Sequence, residues 1–585
     1  MKRNFLFMSV LASLFMAGCS QEEIAPDEKD VGNGKANTSY LTVNLMSSDA
    51  TGTRATGGNY EDGTPVENTV KKVRFYFFNG NGGTANVKLL NGAYVNFYDW
   101  EPGENYEGNQ PGDVEKKLNA TIVISTKDGD KLPEMVAAVL NPPTDTNNKI
   151  KWGEDSKTLT QLQAVVDNYA QTGLTKDGYF VMFNSVYYNA ANSTEVIAIP
   201  ITTDNLQKEA ADARLHPVTI YVERSVAKVK VKLDIEGFSD GRLELKSKTK
   251  DEAGTEIEAP IVIGGQKVYL RLDAWGLTAN TTRGRLVKKI DPEWRTQWWR
   301  GTHRTFWAIN DMEATNDYYN YNNIKATFAD ALYTNENAGK DDVGGTSAAS
   351  QQSTKVIIKG TLCKADGTPF TIVRHLGSHF ADEFSETETE NLSELKKSIL
   401  SQLSTNGHNY YYATPTESGE SAKTERKQIE AGDLEIAIAS QQPVEGSDNN
   451  CYVYARLTTE AQGKTWYDTL DEGTEAAPVT PINYTEINEK LSDEVDKALV
   501  WKSGMTYYYY EIKHLNNDSG QPMIGVVRNH VYNTTVTKIL GLGTPVYNPT
   551  EEIYPEKPSK NDHYIAAEIN ILSWRIVNGS YVLEW

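Results

Sequence analysis

The chain has 585 residues, of which 39% are hydrophobic and 10% aromatic, and it carries a formal net charge of -21. This length suggests two or three domains, and the apolar content argues against wholesale disorder. The acidic balance argues against nucleic acid as a partner, because the phosphates would be repelled. The 32 Tyr, 11 Trp and 44 Gly favour strands and tight turns, so we expect a mainly β fold.

The first residues, "MKRNFLFMSVLASLFMAGCS", predict export from the cytoplasm. Lys2 and Arg3 precede an apolar run that is too short to span a bilayer, so residues 1–18 are predicted to be a signal peptide. Small residues directly before Cys19 resemble the lipobox of bacterial lipoproteins, which implies cleavage before Cys19 and acylation of that residue. Acyl chains would anchor the precursor in the outer membrane. Residues 20–39 are polar and are predicted to form a flexible tether.

The next stretch, "SYLTVNLMSSDATGTRATGGN", joins a strand to a small, polar segment. Leu41, Val43 and Leu45 alternate with polar residues, as in a half-buried strand. Arg54 follows and offers a trypsin-type cleavage point before Ala55. A lone arginine is also common in solvated loops, and the residues alone leave both interpretations open.

Residues 55–224 are predicted to form a first β-sandwich. Val73, Phe75 and Phe77 alternate and run into a glycine-rich hairpin turn, and several further strands follow in chain order: "LNATIVIST", "PEMVAAVLNPP", "GYFVMFNSVYYN" and "HPVTIYVERSVAKVKVKLDI". One helix is predicted in "KTLTQLQAVVDNYA", with an apolar stripe made of Leu159, Leu162, Val165, Val166 and Tyr169. The last strand segment is too long for one strand, so we place a domain junction at Arg224 and Ser225.

Residues 225–544 are predicted to form a second, larger β-sandwich with insertions. Its predicted strands include "QKVYLRLDAWGLTAN", "STKVIIKGTLCK", "CYVYARLT", "GMTYYYYEIKHL" and "MIGVVRNHVYNTTVTKILGLG". A helix is predicted in "NLSELKKSILSQLSTNG", where Leu392, Leu395, Ile399 and Leu403 share one face.

The chain ends in a proline-rich linker, residues 545–562, and a tail, residues 563–585. The tail alternates strongly, with apolar residues at Ile565, Ala567, Ile569, Ile571, Tyr581, Leu583 and Trp585. It is too short to build a core alone, so it folds back on its own domain or inserts into another molecule. Asn578-Gly579 favours a type I′ turn, which predicts a small terminal hairpin as one arrangement.

The sequence contains no recognisable catalytic constellation, and we predict neither enzyme activity nor a cofactor. His375 and His379 have helical metal-ligand spacing, but Gly377 lies between them and a polar loop is the better interpretation. "YYYY" at 507–510 and "WRTQWWR" at 294–300 could stack on sugars, although tyrosines with one face in a core and the other at the surface are the more ordinary explanation. Cys363 and Cys451 are predicted to be buried free thiols.

Taken together, the layout resembles the fimbrillins of Bacteroidetes, the type V pilus subunits, and most of all the shaft subunit of the Porphyromonas minor fimbrium. The stretches that carry the resemblance are the lipobox, "GTRATGG", "VTIYVERSVAKVKV", "KVIIKGTL", "YYYYEIKHL…VVRNHVYNTTVTKILGLG" and "ILSWRIVNGSYVLEW". Each stretch alone is a weak match to the family, whereas their combination is specific.

The resemblance implies two tandem transthyretin-like, Greek-key β-sandwiches with a few short helices. It also implies a lipoprotein precursor that is cut after Arg54, so that residues 19–54 are lost and the strand around Leu41 leaves a groove. The tail of a neighbouring subunit would fill that groove as a donor strand, and in the family such a tail contributes two consecutive strands. The implied partners are copies of this chain, tip and anchor subunits, and host or bacterial surface ligands.

Two other functions stay open at the level of sequence. A tip or accessory fimbrillin accepts a donor strand but need not offer one, so the long tail favours a shaft subunit. A surface glycan-binding lipoprotein would also be β-rich, lipidated and rich in Trp and Tyr, but it would keep its lipid and remain uncut at Arg54.

Overall fold

The computed structural model describes residues 37–47, 60–61, 63–102, 112–113, 118–142, 155–170, 180–188, 194–251, 253–290, 308–310, 316–337, 353–382, 392–415, 424–439, 452–474, 477–516, 522–554 and 572–584. Within these ranges the chain is mostly β, as predicted. The α-helices are short: Pro65–Asn68, Leu159–Gln163, Ala210–Ala213, Ser393–Thr405, Thr459–Gln462 and Tyr484–Asp493. The 3-10 helices are Thr203–Asn205, Tyr321–Asn323, Ala431–Asp433 and Lys502–Gly504.

The first sandwich is built from one nine-stranded sheet that encloses the first hydrophobic core. Its main path runs, in order of pairing, through Leu206–Gln207, Asn37–Ser47, Val218–Arg224, Met182–Asn184, Met135–Leu140, Val73–Phe78 and Phe97–Trp100. Two further strands of this sheet lie outside the main path. Leu118–Thr126 pairs with Asn37–Ser47, and Ile199–Pro200 pairs with Met135–Leu140.

The second sandwich has two five-stranded sheets around a second core. One sheet runs through Tyr60–Glu61, Leu572–Glu584, His530–Leu540, Val226–Leu233 and Ala331–Asn335. The other runs through Arg242–Glu244, Tyr269–Thr278, Lys355–Cys363, Met505–Glu511 and Thr544–Pro545.

A third core lies within residues 373–500 of the predicted second domain. It is built on a five-stranded sheet, Ser378–Ala381, Ile372–His375, Ala498–Trp501, Tyr452–Leu457 and Leu434–Ile438, and a three-stranded sheet, Thr424–Gln428, Tyr411–Pro415 and Trp466–Tyr467. The helix Ser393–Thr405, predicted from its apolar stripe, packs Leu395, Ile399 and Leu403 into this core.

The remaining strands form two-stranded pairs. They are Thr69–Val70 with Gly112–Asp113, Lys88–Leu90 with Ala93–Val95, Val166–Asp167 with Gly284–Arg285, Tyr187–Tyr188 with Glu195–Val196, Lys246–Lys250 with Glu256–Pro260, Val262–Ile263 with Gln266–Lys267, Asn280–Thr281 with Asn316–Asp317, Gly473–Thr474 with Ala477–Pro478, and Lys513–Asn516 with Pro522–Ile524.

The chain changes sheets at Ser225, where the sequence placed the junction. Val218–Arg224 belongs to the first sheet and Val226–Leu233 to the second sandwich. The separation of the cores is incomplete, however, because Leu286, Val287 and Ile290 pack into the first core. Whether residues 55–224 and 225–544 are independent folding units stays a prediction.

The helix predicted in "KTLTQLQAVVDNYA" is much shorter than its apolar stripe. It begins after a capping box at Thr158 and spans only Leu159–Gln163. Val166–Asp167 is instead a strand paired with Gly284–Arg285, and the carbonyl of Val165 accepts a hydrogen bond from the Leu286 N–H at 3.0 Å. Pairing with a distant segment therefore overrides the helical pattern.

The expectation for the four tyrosines at 507–510 is wrong, because both faces of their strand are covered. Tyr508 and Tyr510 lie in the second core, whereas Tyr507 and Tyr509 pack against Tyr321, Ile324, Val546 and Ile553. Residues 546–554, predicted as the start of the linker, thus form part of this cover. Residues 555–562 of the linker lie outside the described residues.

The remaining motifs have structural explanations. His375 and His379 lie on a hairpin formed by Ile372–His375 and Ser378–Ala381, not on a helix. Cys363 is buried and free, as predicted, and its burial raises the pKa of its thiol. Cys451 and the tryptophan-rich stretch at 294–300 lie outside the described residues.

Candidate functional site

The strand Asn37–Ser47, which we call the plug strand, lies in the interior of the first sheet. On one side it pairs antiparallel with Leu118–Thr126, from Asn37 opposite Thr126 to Leu45 opposite Leu118. On the other side its second half pairs in parallel with Val218–Arg224, from Val43 opposite Val218 to Ser47 opposite Val222. Both backbone edges of the plug strand are therefore engaged by other strands.

The plug strand also contributes side chains to the first core. Leu41, Val43 and Leu45 are each 0% exposed and belong to the same cluster as Ile122 and Ile220 of the flanking strands. The intervening residues, Thr42 and Asn44, are buried as well. The hydroxyls of Thr42 and Thr121 lie 3.2 Å apart across the strand pair. The half-buried strand predicted from alternation is thus a strand buried on both faces.

Loss of the plug strand would create a groove with two unpaired edges. The backbone groups of Leu118–Thr126 and Val218–Val222 that now bond to the plug strand would have no partner, and a cavity would replace three aliphatic side chains. Unpaired strand edges over an open apolar cavity bind extended peptides, because one segment satisfies backbone and side chains together. The predicted lipidation site Cys19 and cleavage site Arg54–Ala55 lie outside the described residues.

The C-terminal strand Leu572–Glu584, which we call the tail strand, lies on the second sandwich of its own chain. It runs parallel to His530–Leu540, from Arg575 opposite His530 to Glu584 opposite Leu540. The two-residue strand Tyr60–Glu61 pairs along its other edge. Leu583 is 3% exposed and contributes to the second core. Of the two outcomes predicted for the tail, this single chain adopts the folded-back one.

The hairpin predicted at Asn578-Gly579 is wrong. Both residues continue the tail strand and lie opposite Asn533 and Thr534. Pairing along a long neighbouring strand outweighs the local preference of Asn-Gly for a turn. Among the proposed donor residues, Tyr581 and Leu583 belong to this strand, whereas Ile565, Ala567, Ile569, Ile571 and Trp585 lie outside the described residues.

Buried charges join the two sandwiches next to the groove, a feature that the sequence analysis missed. Glu67 is 0% exposed, and its carboxylate lies 2.7 Å from the Lys228 Nζ and accepts a hydrogen bond of 2.6 Å from the Tyr333 hydroxyl. Glu223 and Lys288 form a second buried pair, with 2.7 Å between carboxylate and ammonium. Lys228, Lys230 and Lys232 alternate with apolar residues in "VAKVKVKL", so nothing in this pattern distinguished the buried Lys228 from the other two lysines.

The contact that Glu67 makes between the two sandwiches, with Lys228 and Tyr333, is expected to weaken in acid. Burial alone would raise the pKa of Glu67, but the charge of Lys228 and the hydrogen bonds from Lys228 and Tyr333 lower it overall, below its ordinary value of 4.5. A carboxylate with a lowered pKa in the fold stabilises it above the unfolded-state pKa, and this contribution disappears as the pH falls through the folded-state value.

We therefore expect Glu67→Gln to lower the free energy of unfolding at pH 7 by about 1.5–3 kcal/mol, because Lys228 loses its closest carboxylate and keeps Glu61 at 3.4 Å. The variant should also lose less stability than the wild type between pH 5 and pH 3, as measured by urea unfolding at several pH values. Glu244→Gln, which removes a partner of the half-exposed Lys267, is the control and should cost at most about 1 kcal/mol. Equal acid sensitivity of Glu67→Gln and the wild type would contradict this assignment.

No helix within the described ranges is long and apolar enough to cross a membrane. Within the same ranges no group of His, Cys, Asp or Glu is arranged to hold a metal ion.

Comparison with known proteins places the family signal in the second sandwich. Residues 500–579 match the family model described as "Major fimbrial subunit protein type IV, Fimbrillin, C-terminal". This match spans Met505–Glu511, His530–Leu540 and the first part of the tail strand. No curated protein matches the chain.

Solved structures that resemble the chain include three fimbrial proteins. A fimbrilin (FimA) from Porphyromonas gingivalis is 9% identical, with 56% of this chain and 72% of that chain covered and a TM-score of 0.26. The tip fimbrial protein Mfa3 from the same organism, with a C-terminal truncation, is 11% identical, with 67% and 100% covered and a TM-score of 0.27. A fimbrial assembly protein from Parabacteroides distasonis is 11% identical, with 67% and 97% covered and a TM-score of 0.27.

Similarities of this size carry no argument about function. The family model covers the strand His530–Leu540, along which the tail strand pairs, and ends within the tail strand itself. Through this C-terminal region, residues 500–579, the chain is similar to the fimbrillins.

Proposed function

We propose that this protein is a structural subunit of a cell-surface fimbrium. In this proposal it reaches the outer membrane as a lipoprotein precursor acylated at Cys19, is cut between Arg54 and Ala55, and polymerises by donor-strand exchange. It acts as a building block that serves adhesion and not as an enzyme.

The observation that carries the proposal is the placement of the plug strand. It is an interior strand of the first sheet, it fills the core with Leu41, Val43 and Leu45, and it lies just upstream of the only arginine between residues 48 and 59. Cleavage there separates an essential strand from the rest of its sandwich. Cleavage that removes a core strand would only destabilise a monomer. In a subunit that receives a strand from another molecule, the same cleavage opens the binding groove.

The two sites available to the tail support an exchange. Among the described residues, the tail strand has one long neighbour on its own second sandwich, His530–Leu540, and the two residues Tyr60–Glu61 on its other edge. The emptied groove offers Leu118–Thr126 on one side and Val218–Val222 on the other. The groove therefore offers the tail longer strand pairing on its second edge than the tail's own sandwich does.

Such a contact is directional and does not close on itself. The donor belongs to the C-terminal end of one subunit and the acceptor to the first sandwich of the next, so repetition produces a filament. Residues 555–571, which separate the second sandwich from the tail strand, supply the length that the tail needs to reach a neighbour. The presence of a tail favours a shaft role, with other subunits at the tip and at the membrane anchor.

Controlled proteolysis of the purified precursor tests the proposal. Trypsin should yield a product that begins at Ala55 and forms fibres visible by electron microscopy, whereas the Arg54→Ala precursor should remain monomeric under the same treatment. A folded precursor that resists trypsin at Arg54 would count against the proposal. Mature protein from cells that retains its lipid and binds polysaccharide in an affinity gel would favour the glycan-binding lipoprotein instead.

A further inference from the structure

The two walls of the groove are held to the rest of the molecule very differently. The strand Leu118–Thr126, which we call the free wall, has the plug strand as its sole strand partner within the described residues. One additional backbone hydrogen bond, from the Ser125 N–H to the Val87 carbonyl, measures 2.7 Å. Removal of the plug strand would therefore leave the free wall without a strand partner in the sheet, held by this hydrogen bond and by the packing of its apolar side chains in the first core.

The strand Val218–Arg224, which we call the fixed wall, keeps its other partners. Its last three residues pair with Met182–Asn184, and the Tyr221 carbonyl accepts a hydrogen bond of 2.8 Å from the Ser185 N–H. These contacts lie on the side away from the plug strand, so its removal leaves them in place.

Buried charged side chains also connect the end of the fixed wall to residues outside the first sheet. Glu223 pairs with Lys288 at 2.7 Å, and both side chains are at most 2% exposed. Arg224, also buried, donates from its Nε to the Glu67 carbonyl at 3.0 Å and from its guanidinium to the Asn529 side chain at 3.3 Å. A buried charge without its partner is strongly unfavourable, so these contacts resist displacement of the strand end.

Lys288 is itself held by a well-packed segment. Gly284–Arg285 pairs with Val166–Asp167, and Leu286, Val287 and Ile290 pack into the first core. The ammonium group is therefore presented to Glu223 from a segment whose backbone pairs with neither the plug strand nor the free wall.

We propose that Lys288 is a positioning residue for the acceptor groove: through Glu223 it keeps the fixed wall in place after cleavage, so that an incoming donor strand pairs first with the fixed wall and the free wall then closes over it. This inference rests on the proposed function. It adds the order in which the donor strand pairs with the two walls, and it names Lys288 as the residue that makes this order possible.

Hydrogen exchange on the full-length precursor and on the trypsin-cleaved protein tests the asymmetry directly. After cleavage, at a concentration where light scattering shows monomers, residues 118–126 should lose at least about tenfold in protection while residues 222–224 keep theirs. A synthetic peptide of residues 563–585 should restore protection of residues 118–126. Equal loss of protection in both walls of the cleaved wild type would overturn the inference.

The variant Lys288→Met tests the role of the charge. In the precursor, exchange of residues 218–222 should match that of the wild type, because the plug strand still pairs with them. After cleavage, residues 222–224 should lose protection, and the affinity for the fluorescently labelled peptide should fall at least about tenfold. Lys288→Arg should restore both properties, because it keeps a cation within reach of Glu223.

A matched control separates positioning from general destabilisation. Lys355→Met removes another buried lysine, which faces Glu511 at 3.7 Å in the second sandwich. It should lower stability without changing exchange of residues 222–224 or affinity for the peptide. If Lys288→Met binds the peptide as the wild type does, the inference is wrong and the proposed function stands. If the cleaved wild type does not bind the peptide, the proposed function itself fails.

Discussion

Deletion of residues 563–585 is expected to abolish polymerisation of the cleaved subunit while leaving its groove able to accept a strand. The truncated chain keeps the plug strand, both walls and the Arg54 cleavage point, so trypsin should still open the groove. Without a tail, no subunit can supply the segment that fills the groove of the next one. Fibres should be absent by electron microscopy and light scattering.

The second sandwich should survive this deletion. Within the described residues the tail adds Leu583 to the second core, which otherwise consists of residues that precede the linker. A synthetic peptide of residues 563–585 should bind the cleaved, truncated chain, and the same peptide with Leu583→Asp serves as the control for sequence specificity. Fibres formed by the truncated chain alone would contradict the donor role of the tail.

Substitution of Val43 by Asp is expected to unfold most of the first sandwich in the precursor. Val43 is 0% exposed, with the flanking strands on both sides and apolar side chains around it. A carboxylate introduced there has no cation to pair with and costs several kcal/mol, against a total stability of about 5–15 kcal/mol for a domain. Urea unfolding and the trypsin fragment pattern would report the loss.

Thr38→Asp is the matched control for this substitution. Thr38 lies on the same strand with an exposed side chain, so the change should alter the free energy of unfolding by no more than about 0.5 kcal/mol. A Val43→Asp precursor as stable as the wild type would mean that the plug strand is not part of the core. The proposed groove would then have no basis.

Much of the local structure follows from side-chain periodicity. Alternating apolar residues predicted the plug strand and the strands Val73–Phe78 and Leu118–Thr126, and the unusual length of the segment around Ser225 predicted the change of sheets there. The alternation works because successive side chains of a strand point to opposite faces, and that property is present in the residues themselves. The C-terminal motifs likewise predicted the fimbrillin resemblance that the family model finds in residues 500–579.

The errors arose where a distant segment decides the outcome. Val165 and Val166 continue the helical stripe of apolar residues. However, Val166–Asp167 pairs as a strand with Gly284–Arg285, and Val165 accepts a hydrogen bond from Leu286. Tyr507 and Tyr509 would face water without the cover from residues 319–324 and 546–554. Asn578-Gly579 would turn without the long neighbour His530–Leu540. In each case, tertiary contact outweighs a local preference of about 1 kcal/mol or less.

The sequence by itself therefore determined the β class, the plug strand and the resemblance to the fimbrillins in the C-terminal region. Only the tertiary structure decided that the plug strand is interior, that the tail strand lies on its own second sandwich, and that Glu223 meets Lys288 beside the groove. Periodicity reports which face of a segment is apolar, because that depends on neighbours in sequence. It cannot report which segments meet, because pairing partners and buried charges are separated by tens to hundreds of residues and are selected by the packing of the whole chain.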